Sequence, residues 1–289
     1  MLSKGLLALA TREALSQPKL ERAPQSGGAV ELNDEDLIAN EEAAFKALQG
    51  IYHYNALATS RLVPQGGLVL DLGSGSGSFP MYLAQRRPDL TIIGVDPSMR
   101  LVDLGQRKVA EEGLTERINI NWGEITDFSQ RIPTEVDMIT SVMSLHTVPS
   151  TEELFRCFQE ISLVRMRCGC AVWMFDFCRP NQAKTAEEFP VALMPGTPIP
   201  FRRNCRNSLM ASFTHREMSD ALAKVSLGTV HHAQSRNFKI YQAHWLDRED
   251  ELASKDELWH EGRLPALAVQ QFKEVSSMFP TVPLPKHLK

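Results

Sequence analysis

The sequence lacks an excess of positive charge and any long basic block. Its 31 lysines and arginines are outnumbered by 35 aspartates and glutamates, which leaves a net charge of −4 at pH 7. Proteins that bind the phosphate backbone of nucleic acid normally carry a concentrated basic patch. The composition therefore argues against a nucleic-acid partner.

Cysteine is scarce, and the five cysteines are odd in number. A disulfide framework is therefore not expected, and a reducing cytoplasm is the location that fits best. Cys168 and Cys170 flank a glycine, but no second pair of Cys or His at ligand spacing accompanies them. We expect no metal site there.

Long apolar runs are also missing. No segment reaches the roughly 18 uninterrupted apolar residues of a membrane helix, and Arg12 and Glu13 interrupt the short apolar run near the first residue. We therefore expect no signal peptide, no membrane span and a soluble protein. At 289 residues with 43 % hydrophobic content, the chain can form one large α/β domain with additions.

From residue 68 onward, short apolar runs alternate with amphipathic segments. The runs LVLDLG, TIIGVD, ININ, VDMITSV and CAVWMFDF are typical of strands, and helical segments separate most of them. TVHHAQS and NFKIYQAHW follow as two further strands joined by a turn. The pattern predicts an α/β, Rossmann-like fold. The expected fold has a seven-stranded, mostly parallel sheet with helices on both faces, an antiparallel closing strand and a helical N-terminal cap.

The remaining segments define the predicted organisation. Residues 1–60 form the cap and a linker, with a helix that starts after an Asn33 N-cap and ends near Tyr54. Residues 61–246 form the main domain, which contains a proline-rich insert at 179–212, and residues 247–289 form a C-terminal extension. We expect these additions to supply a pocket for a second molecule or a contact in a homodimer.

The stretch LDLGSGSGSF, residues 70–79, places three glycines directly after a strand. Glycines at a strand-to-helix turn let a ligand approach the backbone closely. A dinucleotide fingerprint would require a glycine where Ser78 stands. Asp71 would also repel a pyrophosphate, whereas it favours the ammonium of S-adenosylmethionine. Asp96, at the end of the next strand, can accept hydrogen bonds from both hydroxyls of a ribose.

With these motifs in this order, the chain from about residue 68 to 245 resembles the class I S-adenosylmethionine-dependent methyltransferases. The resemblance is to the small-molecule group that includes the ubiquinone and menaquinone biosynthesis enzymes. It implies S-adenosylmethionine as cofactor, S-adenosylhomocysteine as product and a small-molecule acceptor. The residues that match the family's cofactor-binding positions are Asp71, Gly73, Gly75, Gly77, Asp96, Pro97, Ser98, Met99, Gly123, Glu124, Ile125 and Ser141.

Six further residues are candidates for the acceptor side. His146 follows the fourth strand, so it is a candidate general base or orienting donor, or else a packed loop histidine. Tyr52 and Tyr54 end a helix that often covers the cofactor in the family, although ordinary packing explains them equally well. Arg179, Arg202 and Arg203 are candidate clamps for an acidic substrate, or solvated arginines in a proline-rich loop.

The family resemblance leaves the reaction open at two points. The segments MFDFCRP and NSLMASFTHREM resemble a subset of bacterial members in which an acid-x-x-Arg-Pro motif follows the fifth strand, and this subset does not fix an acceptor. The alternatives to methyl transfer are transfer of a carboxyl or aminopropyl group with the same cofactor, and a non-catalytic domain that binds S-adenosylmethionine for a partner protein.

Overall fold

The computed structural model of the chain describes residues 3–24, 33–133, 135–194, 196–249, 258–282 and 284. None of the helices in these ranges is long and apolar enough to cross a membrane. The described elements, in chain order, are α1 (Lys4–Ala14), α2 (Asp34–Leu62), β1 (Leu68–Leu72), α3 (Ser78–Arg86), β2 (Thr91–Asp96), α4 (Met99–Glu111), β3 (Ile118–Trp122), β4 (Met138–Val142), a 3-10 turn (Leu145–Thr147), α5 (Thr151–Cys168), β5 (Ala171–Phe177), α6 (Ala183–Leu193), α7 (Ile199–Ala211), α8 (His215–Leu222), β6 (His231–Gln234), β7 (Tyr241–Leu246) and α9 (Ala266–Met278).

The seven strands form one sheet in the order β3-β2-β1-β4-β5-β7-β6. Strands β1 to β5 are parallel, and β7 runs antiparallel between β5 and β6. The predicted sheet with an antiparallel closing strand is confirmed. From β1 the chain adds β2 and β3 on one side and then β4 and β5 on the other, so the order of strands reverses between β1 and β4. Ligands of open α/β sheets bind at the carboxyl ends of the strands beside such a point.

Alternate residues of the strands enter two separate apolar layers. Trp173 and Phe175 of β5 pack in the layer that contains α2 and α9, whereas Val172 and Met174 pack in the layer that contains α5 and α8. This alternation follows from the two-residue period of a strand. Helices therefore cover both faces of the sheet, as predicted.

Helix α2 begins as predicted but ends later. The Asn33 side chain accepts a hydrogen bond of 2.8 Å from the backbone N–H of Asp36. The helix does not end near Tyr54; it continues to Leu62, and Val63 has extended backbone angles. Pro64 explains this end, because a proline disfavours the helical conformation of the preceding residue. The predicted boundary at residue 60 therefore falls inside a helix.

The proline-rich insert 179–212 is helical rather than a loop. It forms α6 and α7, and α7 has Pro198 as its N-cap and Pro200 in its first turn. Proline is compatible with the first turn of a helix because the N–H groups there have no partner within the helix. The prolines of α7 therefore mark where a helix starts, not an irregular segment.

Helix α9 packs against α2 at a close crossing. The backbone N–H of Gly50 donates to Oε1 of Gln271 over 3.3 Å, and Nε2 of Gln271 donates to the carbonyl of Ala47 over 2.7 Å. A Cβ atom on residue 50 would lie 2.5 Å from the carbonyl oxygen of Ala268. The two helices can approach this closely only because residue 50 has no side chain.

We expect Gly50→Ala to lower the free energy of unfolding by about 1–3 kcal/mol, because overpacking at the crossing outweighs the better helix propensity of alanine. Chemical denaturation measures the change. Glu42→Ala, at an exposed position of the same helix, is the matched control and should change stability by less than about 0.5 kcal/mol. A Gly50→Ala variant as stable as the unaltered protein would contradict the close crossing.

Candidate functional site

A cavity of about 400 Å³ opens at the carboxyl ends of β1, β2 and β4. Its wall consists of the glycine loop after β1, the end of β2, the loop after β4, one side of α2 and one side of α7. This volume falls in the range of small-molecule sites. The cavity lies at the point where the sheet winding reverses.

The glycine loop is shaped by its neighbours. The N–H of Gly73 donates to the carbonyl of Val95 over 2.7 Å, and a Cβ on Gly73 would lie 2.5 Å from the Cβ of Ser144. Gly75 has a φ of 54° and open space where its side chain would be, so a ligand can lie against its backbone. Gly77 is the N-cap of α3 and does not line the cavity. A Cβ on Gly77 would collide with the side chain of Ile120.

Asp96 is held by the backbone. Its Oδ2 accepts from the N–H of Gly75 over 2.8 Å, and its Oδ1 accepts from the N–H of Ser98 over 2.9 Å. Burial nevertheless raises the pKa of this carboxyl group. Each oxygen retains a second lone pair, so both can still accept hydrogen bonds from a ligand.

Asp71 is a buried carboxyl group without a cation beside it in the described structure. It is 3 % exposed, lines the cavity and accepts one hydrogen bond of 2.6 Å from Oγ1 of Thr140. Burial, reinforced by the charge of Asp96, raises the pKa of Asp71 to about 7. A ligand cation at this position would favour the charged carboxylate.

Two further polar atoms of the cavity wall have no partner. Oγ of Ser74 and Oδ1 of Asn40 are buried and make no hydrogen bond in the described part of the chain. Buried polar atoms are normally paired. Both atoms have almost no exposed surface, so the groups open to a ligand are Asp71, Asp96 and the backbone of Gly75. These three fit a ligand that combines a cation with hydroxyl groups, as S-adenosylmethionine does.

The other matched cofactor positions divide into two groups. Pro97, Ser98 and Ile125 line the cavity. Met99 does not, since it is the first residue of α4 and its side chain is 53 % exposed. Gly123 and Glu124 also lie outside the cavity wall, although the charge of Glu124 contributes to the raised pKa of Asp96.

Ser141 supports the site from behind. It is 1 % exposed, and its Oγ donates to the carbonyl of Leu72 and lies 2.6 Å from Oγ of Ser144. Ser144 lines the cavity and Ser141 does not. The left-handed backbone at Met143, with a φ of 59°, turns the chain so that Ser144 faces the glycine loop.

His146 lies in the 3-10 turn after β4 and lines the cavity. Its Nδ1 is 2.7 Å from Oδ1 of Asp176, and its backbone N–H donates to Oδ2 of the same residue over 2.8 Å. A carboxylate only accepts hydrogen bonds, so Nδ1 carries the hydrogen and the neutral ring has a lone pair on Nε2. This arrangement suits a general base.

Asp176 was not among the residues singled out from the sequence. It stands near the end of β5, and β5 is the neighbour of β4 in the sheet. The acid of the acid-x-x-Arg-Pro motif was the available signal, but only the strand order shows that it faces the histidine.

Among the predicted acceptor-side residues, Tyr54 and Arg179 do not line the cavity. Tyr52 lines the cavity, whereas Tyr54 lies in the core against Trp173, Phe175 and Phe279. The reason is the helix period, since positions two apart point about 200° apart.

Arg179 is also outside the cavity. It donates to the carbonyl of Ser212 and to Glu217, each over 2.9 Å. The arginine in the cavity wall is Arg203 of α7, beside Asn207.

Residues 69–166 match the family model described as a methyltransferase domain. The chain is 28 % identical over 116 residues to the ubiquinone/menaquinone biosynthesis C-methyltransferase UbiE of Geotalea daltonii, which covers 40 % of this chain and 47 % of that protein. It is 36 % identical over 64 residues to the ribosomal RNA small subunit methyltransferase G of Mycobacterium marinum, or 22 % of this chain and 28 % of that protein. The chain thus spans less than half the length of these curated relatives.

A solved structure extends the likeness to most of the chain. The plantazolicin methyltransferase BamL, in complex with a triazolic desmethylPZN analog and SAH, matches 85 % of this chain and 98 % of its own with a TM-score of 0.56 and 12 % identity. At this identity the likeness concerns the fold. The methyltransferase-domain match itself concerns residues 69–166.

We expect Asp71→Asn to stabilise the ligand-free protein at pH 8 by at most about 4 kcal/mol. Between the ordinary carboxyl pKa of 3.8 and a pKa of about 7, the native state keeps a proton that the unfolded chain releases. Stability therefore falls as the pH rises through this window, and asparagine removes that loss.

Thermal unfolding at pH 4 and pH 8 measures the effect, which should be absent at pH 4. Asp127→Asn, an exposed carboxylate, is the control and should show no such pH-dependent gain. An Asp71→Asn protein less stable than the unaltered one at pH 8 would show that the buried Asp71 carboxylate does not destabilise the folded protein.

Proposed function

We propose that the protein transfers a methyl group from S-adenosylmethionine to a small-molecule acceptor that gives up a proton, and that His146 takes that proton. The observation that carries the proposal is the His146–Asp176 pair on the wall of the cavity that also contains Asp71 and Asp96. The candidate base and the candidate cofactor-binding groups thus line one cavity.

On the cofactor side, Asp96 would accept hydrogen bonds from the ribose hydroxyls, and Asp71 would face the positive charge of the amino acid portion. The backbone at Gly75 leaves room for close contact. When bound, the cofactor supplies a methyl group on a positively charged sulfur, which is already reactive toward a lone pair. The SAH in the BamL structure is consistent with this assignment.

On the acceptor side, His146 would receive the proton at Nε2 while the acceptor's lone pair forms the new bond to the methyl carbon. Asp176 holds the ring through Nδ1 and favours the positively charged imidazolium that results. Alignment of the two reactants and exclusion of water supply most of the remaining rate enhancement. A positioned general base contributes about 10²–10⁴-fold.

The cavity wall favours a small acceptor with apolar or aromatic parts. Tyr52, Phe79, Phe177 and Phe201 line it, and α2 and α7 cover it. A macromolecule such as RNA would require an open basic surface, whereas the chain has a net charge of −4. The ribosomal RNA methyltransferase relative aligns with 22 % of this chain, so its name does not extend to the acceptor side.

We expect S-adenosylmethionine and S-adenosylhomocysteine to bind and NAD not to bind in isothermal titration calorimetry. Asp96→Ala should raise the dissociation constant about 10- to 100-fold, since charge-assisted hydrogen bonds contribute about 1.5–3 kcal/mol. Asp103→Ala, an exposed carboxylate of α4, is the control and should bind normally. A preference for NAD would overturn the cofactor assignment.

We expect methyl transfer when the protein is incubated with methyl-labelled S-adenosylmethionine and a panel of small phenols, alcohols, amines and thiols. His146→Ala should lower the rate on the best acceptor by about 10²–10⁴-fold, and Asp176→Asn should lower it as well, because the amide can donate to Nδ1 and favour the other tautomer. His231→Ala is the control, since His231 stacks on Trp245 away from the cavity.

Mass spectrometry of the products separates the alternatives. S-adenosylhomocysteine with a methylated acceptor supports the proposal. An aminopropyl or carboxyl product indicates another transfer, and bound cofactor without any product across the panel indicates a binding protein. A His146→Ala variant with unaltered turnover and Michaelis constant would show that the histidine only packs.

A further inference from the structure

A segment near the beginning of the chain crosses the loop that carries His146. The backbone N–H groups of Lys19 and Leu20 donate to the carbonyl of Asn181 over 3.1 and 3.2 Å, and that of Ala23 donates to the carbonyl of Met210 over 3.0 Å. We call residues 19–23 the strap. These bonds attach the strap to the two ends of the helical insert.

Arg22 connects the strap to the histidine loop. Its Nε donates to the carbonyl of Ala211 over 2.6 Å, and its Nη1 donates to the carbonyl of Pro149 over 2.6 Å. Its Nη2 donates to the carbonyl of Val148 and, over 3.3 Å, to that of His146 itself. One guanidinium thus contacts four backbone carbonyls, three of them in residues 146–149.

The surroundings of Arg22 are unusual for a cation. Its guanidinium lies over the ring of Phe213 at 3.9 Å from the centroid, and it forms no ion pair with a carboxylate of the described chain. Burial, together with the charge of Arg179, lowers the pKa of Arg22 to about 10, so the side chain is still charged at neutral pH. By contrast, Arg12 in the preceding helix pairs with Glu188 near the surface.

The 3-10 turn Leu145–Thr147 is therefore held at two ends. Asp176 binds the backbone N–H and the ring Nδ1 of His146, and Arg22 binds the carbonyl groups of His146 and the residues after it. The carboxylate fixes the rotation of the ring, whereas the guanidinium fixes the position of the backbone from which the ring projects. A general base is effective only within hydrogen-bond reach of the proton it takes.

We propose that Arg22 is a positioning residue for His146, and that the strap holds the base at the distance that proton transfer requires. The inference rests on the proposed function of His146. Loss of the four contacts frees the turn to move, and a displacement of about 1 Å can reduce turnover about 10²-fold. Arg22 does not line the cavity, so we expect cofactor affinity to be unaffected.

The kinetic test compares Arg22→Ala, Arg22→Lys and the control Arg12→Ala with the unaltered protein, on the acceptor found from the panel. Arg22→Ala should lower kcat about 10- to 100-fold. Its dissociation constant for S-adenosylhomocysteine should stay within about twofold of that of the unaltered protein, a difference of less than about 0.5 kcal/mol in binding free energy. Added guanidinium ion should partly restore its turnover. Arg22→Lys should be intermediate, and Arg12→Ala should be unchanged.

A second readout does not depend on turnover. The eight histidines are labelled with ¹⁵N, and the ring signal of His146 is identified by its disappearance in His146→Asn. Arg22→Ala should shift or broaden that signal, because the Nδ1 contact to Asp176 becomes variable, while Arg12→Ala should leave it unchanged. If Arg22→Ala does not fold, Arg22→Lys is judged by the same two measurements.

The double variant separates this inference from the proposed function. If His146→Ala has full turnover, the proposed function fails first. If His146→Ala is slow, Arg22→Ala should cause no further loss in that background, since the residue it positions is gone. An equal loss from Arg22→Ala with and without His146, or unchanged turnover and an unchanged ring signal in Arg22→Ala, would overturn the positioning role.

Discussion

The burial of two carboxyl groups at one edge of a parallel sheet governs the arrangement of this site. Asp71 and Asp96 end neighbouring strands and lie in one cavity. Desolvation alone would make both charges costly. Thr140 and two backbone N–H groups offset part of that cost, and the part that is not offset favours a positively charged ligand. The folded protein therefore retains a desolvation cost at these two carboxyl groups, and a bound cation would reduce it.

The strand order determines which loop lies opposite these two carboxyl groups. Because β1 and β4 are adjacent while their following helices lie on opposite faces, the loops after them meet directly, with Ser144 against Gly73. The turn with His146 follows within two residues of that contact. The glycine loop and the candidate base His146 thus lie on two loops whose separation is set by one strand spacing, and β2, α2 and α7 contribute further parts of the wall.

Local motifs predict the candidate cofactor half of the site, because Asp71, the glycines and Asp96 lie within 26 residues of one another. The acceptor half depends on distant contacts. Tyr54 was misplaced because two positions on one helix point apart, and Asp176 was missed because it becomes a neighbour of His146 only through the order of strands. Arg22 reaches His146 across 124 residues, and no spacing in the sequence indicates this contact. A cytoplasmic location and a homodimer remain predictions.

The close crossing at Gly50 bears on the order in which the molecule is completed. Helix α2 forms part of the cavity wall and also packs against α9, whose Gln271 lies 221 residues further along the chain. During synthesis, α2 leaves the ribosome long before α9 exists to cover its other side. The sheet and its glycine loop can assemble in the meantime, whereas α2 acquires its final support only when translation has passed α9. The cavity wall is therefore among the last parts of the molecule to be completed.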